Sequence, residues 1–257
     1  MQVEDRKTGD AQIFSQRPWR IFALEAFLFF LTLVLGIATA LKSVDAFKVD
    51  KIPFLEFIFY FIFTTLIVLL LARFLKNKTK KRIIFKVILS VVVFGGGLLF
   101  LEAWFSEPLP LILISFLIIW WWIKPTVLNQ DILIISGMAG VGSILGLSLT
   151  PQVVILLLVT LSIYDFVAVY RTKHMVEMAK EMIESRAVLA LVIPSDMFSF
   201  QESLEKIELR GNFLILGGGD VVFPLLFSVS LVSSSILDSL IVYRNTTVEL
   251  IIQQKLL

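Results

Sequence analysis

The 257-residue chain contains no cysteine. That excludes disulfides, a thiolate nucleophile and any cysteine-ligated metal. Histidine occurs once, as His174, so a His-x-x-x-His zinc pair cannot form. A Ser–His dyad would have to use His174, which falls in a polar stretch outside the apolar runs and reads as a solvated residue. Charged residues make up only 17% of the chain, against about 25% in soluble domains. The formal net charge of +2 says little about partners. A cleavable signal peptide is also missing. The chain opens with a polar stretch of mixed charge, and the first apolar run is too long for a signal h-region and has no small-residue cleavage site after it. It reads as a retained signal anchor.

What is abundant is apolar. Hydrophobic residues reach 58%, Phe occurs 23 times, and the mean hydropathy is +0.91. These values describe an integral membrane protein. The expected fold class is all-α, a single polytopic transmembrane helical bundle over 1–257. Seven spans are expected at about 19–41, 53–75, 83–105, 109–123, 132–149, 151–170 and 213–242, since about 20 apolar residues cross a bilayer. Gly95-Gly96-Gly97 in the third span and Gly142-Ser143-Ile144-Leu145-Gly146 in the fifth read as close helix-packing patterns. Trp120-Trp121-Trp122 marks a membrane interface.

The basic run Lys76-Asn77-Lys78-Thr79-Lys80-Lys81-Arg82 lies between two spans and reads as a membrane anchor, so no nucleic-acid partner is expected. The alternation of basic loops puts the N-terminus and the long loop 171–212 in the cytoplasm. That loop is expected to be the least ordered long segment. Within it the short apolar piece Ala187–Ile193 is either a buried plug or a strand that pairs with an unwound substrate.

Two carboxylates interrupt the last two spans. Asp165 lies six residues before Arg171, about 9 Å deep at the helical rise. Asp220 follows Gly217-Gly218-Gly219 and lies seven residues past Phe213, about 10 Å deep by the same rule. Consecutive antiparallel spans would set them facing at one level. Two close carboxylates in a low-dielectric setting cannot both ionise easily and can share a proton. That is the requirement of aspartic proteolysis. An ion- or proton-coupled transporter or channel could use the same carboxylates, and an inactive scaffold is a third class.

Tyr164-Asp165, within Ser162-Ile163-Tyr164-Asp165-Phe166-Val167-Ala168-Val169-Tyr170, resembles the Tyr-Asp motif of the presenilin and signal peptide peptidase family of intramembrane aspartyl proteases. Gly217-Gly218-Gly219-Asp220 resembles the family's Gly-x-Gly-Asp motif, with Gly217, Gly219 and Asp220 on the matching positions. The resemblance implies a prokaryotic, archaeal-type presenilin homologue of the cell membrane. The resemblance implies a nine-span fold with seven spans visible. It implies hydrolysis of peptide bonds in transmembrane helices, with Asp165 and Asp220 catalytic and Tyr164, Gly217 and Gly219 supporting. It implies no metal and no small cofactor. The partners it implies are transmembrane helical peptides and membrane lipid, with a homo-oligomer left open. The family's ninth span carries a Pro-Ala-Leu motif that is not found here, so further spans are expected after Leu257. Gly218, on the variable motif position, is expected to tolerate alanine better than Gly219, where a side chain would displace Asp220.

Overall fold

The computed structural model describes residues 18–46, 52–53, 55–60, 62–64, 67, 78–172, 189–194, 197–204, 213–232 and 234. Five helices follow the apolar runs: α1 (Pro18–Ala46), α2 (Lys78–Glu102), α3 (Leu109–Ile123), α4 (Val127–Ser148) and α5 (Pro151–Thr172). A sixth, α6, covers Gly218–Val232. Residues 55–60 and 62–64 of the expected second span are helical too, and most of the rest of that span lies outside the described residues. Among the described residues three helices are long and apolar enough to cross a membrane, within Trp19–Val44, Ile83–Glu102 and Val127–Ser148. The protein is a helical bundle with the character of an integral membrane protein. The shorter apolar helices are Leu55–Thr64, α3, α6 and the Pro151–Ile163 part of α5.

The bundle is built around α4, which is buried along most of its length. It begins at Val127, earlier than the expected start near residue 132. The cause is local. Thr126 caps the helix by accepting the Asn129 N–H at 3.4 Å, and the polar first turns, Asn129, Gln130 and Asp131, are covered by protein. A hydropathy reading assigns such residues to a loop because it prices them against lipid.

Glycines let the other helices approach α4. A Cβ on Gly96 of α2 would lie 2.5 Å from the Gly137 carbonyl oxygen, and one on Gly140 would fall on the Gly96 carbonyl oxygen. The backbones of α2 and α4 therefore touch, with no side chain between them. Leu225 of α6 fills the space left by two other glycines: a Cβ on Gly36 or Gly142 would lie within 2.6 Å of its side chain. One turn further, Gly146 makes room for Val229, 2.6 Å from its would-be Cβ. In lipid, where hydrophobicity does not distinguish helix from solvent, this close packing is what holds helices together. Tryptophans sit at both ends of the bundle. Trp104 donates to Thr39 Oγ1 at 3.2 Å and lies under Lys42 Nζ. At the other end Trp122 donates to Ser90 Oγ at 2.9 Å, and Lys86 Nζ lies over Trp121 and Trp122.

Two expectations change. Phe213–Gly217, placed above at the start of the seventh span, is a β-strand, β2. It pairs antiparallel with β1 (Ala190–Pro194), in register from Ala190↔Gly217 to Pro194↔Phe213. Residues 190–193 of the apolar piece are thus both buried and a strand, and their partner is the chain's own β2. A 3-10 turn, Met197–Gln201, follows β1. The expectation of a poorly ordered 171–212 does not hold for 190–194, since β1 is buried throughout. Residues 173–188, 195–196 and 205–212 of that loop, His174 among them, lie outside the described residues.

The helix contacts give a paired prediction. Gly140→Ala drives a methyl into the backbone of α2, and overpacking of this kind costs about 1–3 kcal/mol. A Cβ on Gly95 meets nothing within 4 Å, so Gly95→Ala should be neutral or slightly stabilising through helix propensity. Melting temperatures in one detergent should fall for the first and not for the second.

Candidate active site

The strand pair ends where α6 begins. Gly217 is the last residue of β2 and Gly218 the first of α6, so the chain passes from strand to helix with no loop. The Gly218 N–H donates to the Leu189 carbonyl at 3.2 Å, just past the last strand pair. A Cβ on Gly218 would lie 2.8 Å from that carbonyl oxygen and 3.6 Å from Met138 Sδ. None of the described glycines has a positive φ. Gly218 is needed here for space, not for a left-handed turn.

Asp220 is the third residue of α6 and is exposed. Its carboxylate folds back over the strand end, with Oδ2 2.9 Å from the place a Gly217 Cβ would occupy. The first turn is the place on a helix where free N–H groups favour an acidic side chain. The depth expected for Asp220 assumed helix from Phe213 onward. With strand up to Gly217, Asp220 stands within the first turn of α6, at the strand-bearing end of the bundle.

The two residues before Asp220, Gly218 and Gly219, border an apolar cavity of about 230 Å³. Val93 of α2, Met138 of α4, Leu189 before β1, and Gly218, Gly219 and Phe223 of α6 are among its walls. Gly219 is exposed on this side, and a Cβ there would meet only the Phe223 ring edge, at 3.2 Å. Gly217, more than Gly219, is therefore the glycine that leaves room for the carboxylate.

Tyr164 and Asp165 lie on α5, as expected for the sixth span, and their side chains are outside the described residues. α5 and α6 share a core: Val154 of α5 and Leu226 of α6 pack with Leu149. Among the described residues no group of three or more His, Asp or Glu side chains gathers as a metal site. Sequence reasoning missed one polar residue near the site. Asp131 is 2% exposed, and its Oδ1 accepts the Val192 N–H at 2.9 Å. The available signal was a carboxylate set directly against a long apolar run without a basic neighbour in the same helix.

Comparison with known proteins bears on this arrangement. A family described as signal-peptide peptidase, presenilin aspartyl protease matches residues 23–251. Among curated proteins there is no match. A solved structure described as a presenilin family intramembrane aspartate protease in C222 space group is similar, with a TM-score of 0.54 and 23% sequence identity over 83% of this chain and 77% of that one. A likeness at that identity speaks for the fold.

The three glycines should separate by experiment. Gly218→Ala should lose the most stability, because its methyl meets backbone, the Leu189 carbonyl. This reverses the order expected from the motif, in which 218 is the variable position. Gly217→Ala should keep the melting temperature and lower activity by displacing Asp220. Gly219→Ala should be mildest in stability, since a ring edge can yield. Melting temperature and single-turnover peptide cleavage, measured for all three in the same detergent, check the order.

Proposed function

The chain belongs to the signal-peptide peptidase and presenilin aspartyl protease family, and from that premise we propose that it is an intramembrane aspartyl endopeptidase that uses Asp165 and Asp220. The observation that carries the reading is Asp220 itself: an exposed carboxylate in the first turn of α6, with an apolar cavity beside the adjoining Gly219. Asp165 is its proposed partner, on the helix that shares a core with α6.

In this reading the ionised aspartate takes a proton from water, and the water oxygen attacks the scissile carbonyl carbon. The protonated aspartate donates to the carbonyl oxygen. The proton transfers then reverse, the C–N bond breaks and the amine leaves protonated. Such chemistry needs an amide released from its helix, because helical hydrogen bonds and side chains cover it. The proposed substrates are transmembrane helices, and the apolar cavity suits a large apolar side chain next to the scissile bond. Gly219 leaves the neighbouring wall flat for substrate backbone. The strand-bearing end is proposed to face the cytoplasm, on the basic residues of the 171–212 loop. The proposed fold is the nine-span bundle of the family, with seven of the spans proposed within this sequence.

Asp165→Asn and Asp220→Asn should each lower cleavage of a transmembrane peptide by about a hundredfold or more, with melting temperatures close to that of the unsubstituted chain. Tyr164→Phe should be milder. Near-normal turnover in either Asn variant would remove the dyad assignment.

A further inference from the structure

Asp131 is a buried carboxylate that the proposed chemistry leaves unused. It lies on α4, one turn in from Val127, and is 2% exposed. Its Oδ1 accepts the Val192 N–H at 2.9 Å. Its Oδ2 is buried as well and has no hydrogen-bond partner among the described residues. Setting a carboxylate in such a place is costly unless it is well bonded. Among the described residues, the side-chain bond it makes goes to the middle residue of β1.

A two-stranded ribbon leaves the outer N–H and C=O groups of each strand without a strand partner. The Val192 N–H is such a group, and Asp131 takes it. Backbone bonds extend the same attachment. Leu204 N–H donates to the Pro125 carbonyl at 3.0 Å, and Val127 N–H to the Glu202 carbonyl at 3.1 Å. Thr126 and Ser203 form an isolated bridge. Residues 190–194 and 202–204 are therefore fastened to the head of α4, and Asp131 is the side chain in that fastening which reaches β1 itself. β1 in turn sets β2: Val192 pairs with Ile215, Ala190 with Gly217, and the Leu189 carbonyl takes the Gly218 N–H. Asp220 follows two residues later.

We propose that Asp131 is a positioning residue for the peptidase. By holding Val192 it fixes β1 on α4, and through the strand register it sets the height of Asp220. The role rests on the peptidase reading given above. A strand that slips by one residue moves about 3.3 Å along its axis, while a displacement of about 1 Å at a reacting group can cost on the order of 100-fold in rate. A brace on β1 is thus a brace on the rate.

The test uses the full chain in detergent with Asp131→Ala and Asp131→Asn. Asparagine keeps an oxygen that can accept the Val192 N–H, and alanine does not. Two quantities are read: amide hydrogen exchange of 190–194 and 213–217, and the rate and half-saturation concentration for cleavage of a synthetic transmembrane helical peptide. In Asp131→Ala, exchange in both strands should rise about threefold to tenfold, as expected for loss of one buried hydrogen bond. Exchange in α2 and the middle of α4 should stay unchanged. The maximal cleavage rate should fall about tenfold to a hundredfold, with the half-saturation concentration unchanged. Asp131→Asn should restore both quantities most of the way. Unchanged strand exchange in Asp131→Ala, or a rise spread evenly over the bundle, would overturn the brace. Normal exchange in Asp131→Asn with cleavage as low as in Asp131→Ala would also overturn it, by making the carboxylate itself the active group. If the unsubstituted chain cleaves no transmembrane peptide, the peptidase reading fails and this role fails with it. Full activity in both variants would leave the peptidase intact and remove only the role of Asp131.

Discussion

Backbone that is not helical must find hydrogen bonds inside the protein when it stands at the end of an apolar bundle. Lipid supplies none, and each unsatisfied group costs several kcal/mol. The strand pair β1–β2 is the place where this constraint shapes the molecule. Its inner groups satisfy one another through the register Ala190↔Gly217 to Pro194↔Phe213. Its outer edge at Val192 is satisfied by Asp131 from the central helix. Once that is done, the position of Asp220 follows, because α6 starts at the residue after β2.

The rest of the bundle serves the same end by excluding side chains where backbones must meet. Gly96 and Gly140 bring α2 onto α4, and Gly36 and Gly142 admit Leu225 of α6. Gly218 admits the Leu189 carbonyl. In every case a glycine stands where a methyl would meet another atom within about 3 Å, so the glycines are spacers of defined width. α4 is then a rigid post. It holds α2 on one side and α6 on another, and carries the strand pair at its head. The apolar cavity is the gap left among α2, α4, α6 and the chain before β1.

Much of this was legible in the residues. Apolar length marked the described helices, and α3 has the expected bounds of 109–123. The small-residue spacing of Gly142 and Gly146 pointed to a helix contact, and the structure supplies Leu225 and Val229 as the contacting side chains. The local sequence around Asp165 and Asp220 pointed to the family that the comparison shows. Two things were not legible. Phe213–Gly217 is apolar and adjoins an apolar helix, so periodicity cannot divide strand from span there; only its partner β1 makes it a strand. Asp131 lies next to an apolar run and reads as a loop residue, because hydropathy sees lipid or water and not the backbone N–H of a residue 61 positions away. Both failures concern long-range pairing, which single-sequence patterns do not encode.

The proposed chemistry requires Asp220 to meet Asp165. The absence of cysteine makes a direct test available. Asp165→Cys and Asp220→Cys, combined in one chain, can be treated in membranes with a short bifunctional thiol reagent. Val192→Cys with Ile215→Cys serves as the control, since those residues are cross-strand partners. Intramolecular cross-linking of both pairs is the expected result. Cross-linking of the control pair with none between positions 165 and 220 would contradict the proposed dyad.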